Sequence, residues 1–427
     1  MNNYELGITN DELNGTTKDI KSTKVMPQIR FKGFSDAWEE KALGECLLVQ
    51  RGGSPRPIEE YMTNGENGIN WIKIGDVSPD SRYITKTQEK IKPEGEKHSR
   101  KVFVGDLIFS NSMSFGRPYI MQIEGCIHDG WLLLRDEKKA FNLEYLLQLL
   151  SSDLMLDQYK ALASGGVVNN LNSQLVQSTS LIFPTLPEQT AIGSFFKTLD
   201  SRIASQGKKI EKLNSMKKAL LAKMFPSNNY ELGITNYELN KPVIRFKGFT
   251  DAWEEKELGE CCKITMGQSP LGINYTDNPN DNILVQGNAD MKDGYVVPRV
   301  WTTQITKKAD VNDIIMSVRA PVGEVGKTLY NIVIGRGVSA IKGNEFIFQS
   351  LKKMNENNYW KQFSAGSTFD SINSDTLYTA NITIPSTVEQ EKIGSFFKKI
   401  DELIGLSNKE LEQLKNIKSA LLEKMFV

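Results

Sequence analysis

At 427 residues, with 39% hydrophobic and 24% charged positions, the chain exceeds one ordinary core and has the composition of a soluble, two- or three-domain protein. Its 52 basic and 52 acidic residues cancel. A protein holding DNA by bulk charge would be basic, so any DNA role requires segregated charge or phosphate contacts made by partner subunits. Four cysteines without C-x-x-C spacing and two histidines argue against a zinc site or a disulfide framework, and fit a reducing cytoplasm. No apolar run approaches the ~20 residues of a membrane span, and Met1–Glu5 lacks the basic and apolar regions of a secretory signal.

In chain order, residues 1–29 read as a polar tail, and 30–187 as a globular domain rich in short strands and loops. A helix is expected over Leu143–Leu162. Residues 188–226 read as a long helix and 227–244 as a linker. A second globular domain, 245–387, has its own helix over Glu345–Phe363, and a second long helix covers 388–427. The second half repeats the first. Asn2–Asn14 returns as Asn228–Asn240, Arg30–Cys46 as Arg245–Cys261, Ile192–Lys197 as Ile393–Lys398, and Ala219–Phe225 as Ala420–Phe426. The middles diverge but correspond: Gly52-Gly53-Ser54-Pro55 faces Gly267-Gln268-Ser269-Pro270, and Val104-x-Asp106-x-Ile108-x-Ser110 faces Val311-x-Asp313-x-Ile315-x-Ser317. Near-identical ends with divergent middles mean shared scaffolding and individually tailored surfaces.

Thr185-x-x-Glu188 and Ser386-x-x-Glu389 match a capping box at the start of each long helix. Apolar residues then recur at steps of three and four from Ile192 to Met224 and from Ile393 to Met425, a coiled-coil-like stripe. About 38 residues at 1.5 Å each make a rod of about 57 Å. Gly207 and Asn408, at matching positions, are candidate kinks. Parallel packing would require the linker to run back along the whole rod, so an antiparallel, pseudo-two-fold pair is preferred; the alternative is that each helix caps its own domain. The fold class is therefore α+β.

Catalytic motifs fail on inspection. Gly323–Thr328 imitates a P-loop, but Pro321 stands where glycine is required and a strand, not a helix, is expected to follow. Asn278-Pro279-Asn280 lacks the second proline and aromatic residue of an amino-methyltransferase motif. Pro79-Asp80 with Asp136-Glu137-Lys138 resembles a nuclease constellation only as a charged sequence does by chance, and His98 and His128 have no counterparts in the second copy.

Arg30-Phe31-x-Gly33-Phe34-x-Asp36-x-Trp38-Glu39, its copy from Arg245 to Glu254, and the segments Pro184-x-x-Pro187-Glu188-Gln189-x-x-Ile192 and Pro385-x-x-x-Glu389-Gln390-x-x-Ile393 together resemble the specificity subunit of type I restriction-modification systems over almost the whole chain. The resemblance implies two target-recognition domains separated by the helix pair, each domain reading half of a bipartite site in double-stranded DNA. It implies a non-catalytic, cytoplasmic subunit whose helices set the spacer and dock two modification subunits. Restriction subunits would join that complex. No cofactor is expected on this chain; S-adenosylmethionine would belong to the modification subunits, ATP and Mg to the restriction subunits. The repeated NNYELGITN tract departs from the family pattern and reads as linker.

Sequence readout needs side chains that reach base edges, whereas phosphate contacts only position a domain. The candidates are Arg51, Ser54, Arg56, Asn111, Ser112, Ser114, Arg117, Asn169 and Asn170 in the first copy, and Gln268, Ser269, Asn274, Arg319, Ser367, Thr368 and Asn373 in the second. Such residues are also ordinary turn formers. Arg202–Lys223, with seven basic residues against one acidic, reads as a DNA- or subunit-facing stripe or a solvated helix face. Two other classes stay open: a stand-alone bipartite DNA-binding regulator and a coiled-coil interaction scaffold.

Overall fold

The computed structural model describes residues 6–8, 26–77, 81–111, 116–163, 171–226, 241–364 and 371–427. They form two compact units, one of residues up to Ser205 together with Leu411–Val427, the other of Gln206–Glu410. Each unit combines a globular α+β domain with the start of one long helix and the end of the other, Leu186–Met224 and Thr387–Met425.

In unit one, a five-stranded sheet runs in the order Leu48–Arg51, Trp131–Arg135, Leu107–Ser110, Pro118–Met121, Tyr83–Ile84. A second follows the order Met62–Thr63, Glu89–Ile91, Ile69–Ile72, Gly125–Ile127, Arg100–Val102. Leu107, Phe109, Leu132 and Leu134 face one cluster with Tyr145, Leu149 and Phe196, while the alternate residues Ile108 and Leu133 face another with Ile72 and Ile127. Strands covered on both faces lose the polar half of the usual alternation, which explains the continuous apolar run at 131–134. Unit two repeats the plan around Lys263–Met266, Val338–Lys342, Ile314–Ser317 and Val325–Lys327, with Ile332–Ile334 in its second sheet. Within the stretch read as a polar tail, Leu6–Ile8 is a strand paired antiparallel with Ile29–Phe31.

Two helix expectations are corrected. The helix expected over Leu143–Leu162 is two, Leu143–Leu150 and Asp153–Ala163. The Ser151 and Ser152 hydroxyls donate to the carbonyls of Leu147 and Leu149, local bonds that compete with helix continuation. Its counterpart is likewise Glu345–Glu356 and Lys361–Ser364, interrupted where Asn358 takes a φ of 57°, a left-handed conformation that asparagine tolerates. Both long helices run unbroken through Gly207 and Asn408.

The capping boxes are corrected too. Glu188 turns its two carboxylate oxygens to Arg30, which donates from Nε and Nη2 at 2.7 Å each, with Arg30 3% and Glu188 1% exposed. Arg245 does the same to Glu389 at 2.8 and 2.7 Å. A carboxylate so deep is held more strongly by a bidentate guanidinium than by one backbone amide. The neighbouring Gln189 donates to Pro184 O at 2.9 Å and accepts from the Asn142 amide at 3.0 Å. The Glu-Gln dipeptide thus ties each long helix to both the opening segment of its domain and the cap of an earlier helix, Leu143–Leu150 in unit one and Glu345–Glu356 in unit two.

The long helices pair antiparallel inside each unit. In unit two Gln206 donates to Ser407 O and Glu410, and Lys217 pairs with Asp401 at 2.6 Å. In unit one Asp200 receives Gln148, Arg82 and Lys418 at 2.7, 2.6 and 2.7 Å. Gln349 meets Asp401 as Gln148 meets Asp200, so one polar knot is built twice. The helix ends close each core: Phe426 stacks on Tyr145 in unit one, and Phe225 on Phe346 in unit two. Met216 and Ile417, at matching places in the apolar stripe, remain 45% and 51% exposed.

Gly193 lets the helix Leu143–Leu150 approach end-on. A Cβ there would lie 2.5 Å from Asn142 Oδ1 and 2.7 Å from Tyr145 N. Gly193→Ala is therefore expected to destabilise unit one, since overpacking costs about 1–3 kcal/mol against at most ~1 kcal/mol of gained helix propensity. Gly207→Ala, where a Cβ meets nothing within 4 Å, is expected to raise stability by up to ~1 kcal/mol. Urea unfolding of the two variants checks the pair; equal shifts would refute the close-approach account.

Candidate nucleic-acid interface

In unit one the Gly52-Gly53-Ser54-Pro55 segment leaves strand Leu48–Arg51 and lies beside the turn His128–Gly130. The loop from Asn111 adjoins the same turn, its amide donating to Gly130 O at 3.1 Å. Buried Ser110 anchors the far end of that loop by accepting the Arg117 amide at 3.4 Å.

Four of the sequence candidates converge here, on a residue that the sequence did not single out. Asp129 receives the Ser54 hydroxyl at 2.9 Å and the Arg56 guanidinium at 3.6 Å. Arg51 and Asn111 donate to its carbonyl oxygen at 3.3 and 3.1 Å. Partial burial raises the Asp129 carboxyl, but Ser54, His128 and Arg51 outweigh it and hold the group below the usual carboxylate range. It therefore stays ionised among cations. Arg117 lies apart, its guanidinium 5.5 Å from the Tyr119 ring.

Unit two builds the matching surface. The Gln268 amide donates to Ile334 O at 2.9 Å, and Ser269 Oγ accepts the Arg336 amide at 3.1 Å. The loop carrying Arg319 adjoins the same turn through Val318, whose amide donates to Gly337 O at 2.9 Å. Buried Ser317 pins that loop, donating to Pro321 O and accepting the Glu324 amide. Gln268, Arg319 and Arg336 are exposed. Asn274 is occupied with Gln304 at 2.8 Å, and Asn373 caps the helix Ser374–Tyr378 by accepting the Thr376 amide at 2.8 Å. Asn172 performs the same capping in unit one, so Asn373 has a structural task. Ser112, Ser114, Asn169, Asn170, Ser367 and Thr368 lie outside the described residues.

Lys327 of the P-loop-like segment sits in strand Val325–Lys327, paired with Glu345 and 4.8 Å from the Phe348 ring. Its ammonium is thus taken up by the first residue of the helix Glu345–Glu356. Burial pushes the Cys126 and Cys262 thiols up to about 11 and about 12, which keeps them protonated. Among the described residues no His, Cys, Asp and Glu group could hold a metal ion, and no helix is long and apolar enough to cross a membrane.

Residues 35–215 and 250–416 match the type I restriction modification DNA specificity domain. A Methanocaldococcus jannaschii protein whose name assigns it as the MjaX type I restriction enzyme specificity subunit is 30% identical over 90% of this chain and 92% of its own. The MjaVIII specificity subunit of the same organism is 22% identical over 68% of this chain and 71% of its own. Among solved structures, the S subunit of a type I system from M. genitalium superposes with a TM-score of 0.63 at 16% identity, covering 94% of this chain and 99% of that one. A chain from a study of type I system assembly and conformational transition gives 0.55 at 22% identity, covering 91% and 97%.

Proposed function

The chain belongs to the type I restriction-modification DNA specificity subunits, and from that membership we propose that each unit reads one half of a bipartite target. The chain contributes recognition and no chemistry; methyl transfer, S-adenosylmethionine, ATP and Mg belong to the subunits it recruits. The observation that carries this reading is the doubled surface: each unit presents the Gly-x-Ser-Pro segment, a tight turn and a serine-pinned loop together, with different side chains on the same frame. A common frame with unlike side chains suits an asymmetric two-part site. Arg51, Arg56, Gln268 and Arg319, which are exposed, are the residues best placed to face DNA, whereas Ser54 and Ser269 hold the turn and Asn111 is buried against it.

The helices are proposed to set the spacer and to dock two modification subunits. Met216, Leu403 and Leu406 on the helical part of unit two are 45%, 52% and 65% exposed, apolar surface that suits a protein partner. Exchanging residues 47–163 for those of another specificity subunit, in cells that also carry the modification subunits, is expected to change one half of the methylated motif and leave the other intact. Methylome sequencing reads the result directly. An unchanged motif would rule out half-site reading, and methyl transfer by the purified chain alone would rule out a subunit without chemistry.

A further inference from the structure

The turn that carries Asp129 in unit one recurs in unit two with the opposite charge. In unit one the Gly52 amide donates to Trp131 O at 2.8 Å, Gly53 to Ile127 O at 3.1 Å, Trp131 to His128 O at 3.0 Å, and Asp129 to Ser54 Oγ at 3.4 Å. In unit two Gly267 donates to Val338 O at 3.0 Å, Gln268 to Ile334 O at 2.9 Å, Val338 to Gly335 O at 3.1 Å, and Arg336 to Ser269 Oγ at 3.1 Å. The pattern agrees bond for bond. Asp129 and Arg336 therefore occupy one position in two copies of the same turn.

That position is held rigidly. A Cβ on Gly52 would lie 2.1 Å from His128 O, and one on Gly267 2.1 Å from Gly335 O, so the segment and the turn are in backbone contact in both units. On Gly337 a Cβ would lie 2.0 Å from Gln286 O. Backbone leaves no room for a side chain at 337, whereas Arg336 beside it is exposed. The backbone at this position is preorganised, so a side chain displayed from it starts from a fixed point and only its own rotamers are ordered on binding, which favours discrimination by a hydrogen-bonding group.

We propose that the residue at this turn determines base preference in each half-site, Arg336 by donating to guanine and Asp129 by accepting from the exocyclic amino group of cytosine. The guanidinium offers a fork of donors and no acceptor, which fits the O6 and N7 pair of guanine in the major groove. An ionised carboxylate is acceptor-only and fits the cytosine N4 amino group. A negative charge facing phosphates weakens binding in general, so its place on this surface is explained by selectivity rather than affinity. The proposal rests on the reading that this face of each unit meets DNA.

The test uses the full chain assembled with its modification subunits, acting on a DNA library randomised across both half-sites. Arg336→Ala is expected to lower discrimination at one guanine position by about 5- to 150-fold and to leave the other half-site untouched. Arg336→Lys, which keeps the charge and donors but loses the planar fork, should show a smaller loss of discrimination than Arg336→Ala, with overall methylation largely retained. Asp129→Asn should relax one cytosine position in the other half-site. A uniform fall in methylation with unchanged base preference marks phosphate contacts and overturns the proposal, as do unchanged motifs in variants whose thermal unfolding matches the parent. If exchange of residues 47–163 changes a half-site while the point variants do not, only this proposal falls; if the exchange also changes nothing, the half-site reading falls with it.

Discussion

Replacing Arg30 with alanine is expected to cost unit one about 3–5 kcal/mol, because it leaves the Glu188 carboxylate buried without its counter-charge. Both groups are almost fully enclosed, at 3% and 1% exposure, and Arg30 also donates to Asp36 O at 2.7 Å. Lost charge compensation outweighs lost contact area here. Desolvating an ion is costly, and the bidentate guanidinium is what offsets that cost. The double variant Arg30→Leu with Glu188→Leu should accordingly be less destabilised than either single change, since no charge is then stranded. Arg245 is 15% exposed beside Glu389, so Arg245→Ala is expected to cost unit two less. Chemical denaturation of the full chain, with a tryptophan signal for each unit, measures these losses. A single-variant loss under ~1 kcal/mol, the range of surface pairs, would remove the pair from its structural role.

Phe426→Ala, one residue before the last position of the sequence, is expected to loosen residues more than 200 positions away. Its ring lies 5.6 Å from Tyr145 and 6.1 Å from Phe196, and Phe426 belongs to the core of unit one with Met425. Truncating a buried phenylalanine costs about 3–5 kcal/mol through lost transfer energy and the cavity left behind. Phe225→Ala should do the same to unit two, where that ring sits 5.1 Å from Phe346, 5.9 Å from Phe397 and 6.0 Å from Trp253. Hydrogen exchange resolved along the chain distinguishes the two outcomes. Phe426→Ala should raise exchange at Leu143–Leu150 and leave Glu345–Glu356 protected, and Phe225→Ala should do the reverse. If Phe426→Ala disturbed only the last helical turn, the helix end would not be part of that core.

Much of this was readable in the residues. The repeat of Arg30–Cys46 and of Ile192–Lys197, the three-four spacing of the long helices, and the alternation of strands with glycine-rich turns are local patterns that record local geometry. The correspondence of the two middles likewise found the Gly-x-Ser-Pro segments and the serines at 110 and 317, although not what those serines bind. The capping-box pattern at Thr185 and Glu188 was real as a pattern, but Arg30, 158 positions away, took the carboxylate. Ser151 and Ser152 looked compatible with a continuing helix until their hydroxyls bonded the preceding carbonyls. Asp129 and Arg336 passed unnoticed because they are dissimilar residues between dissimilar neighbours, and only the matching backbone bonds identify their positions as one.

The sequence by itself determined that the protein is a doubled unit, that each half carries one long helix, and which family it belongs to. Those properties are carried by period, repetition and motif, each contained within a few tens of residues. Tertiary structure alone decided the partners: Glu188 to Arg30, Asp200 to Lys418, Phe225 and Phe426 to the cores they complete, and an aspartate or an arginine to the same turn. Such pairings join residues far apart along the chain. A buried charge or ring is satisfied by whichever group the folded chain brings within a few ångströms, and no spacing in the sequence records that distance.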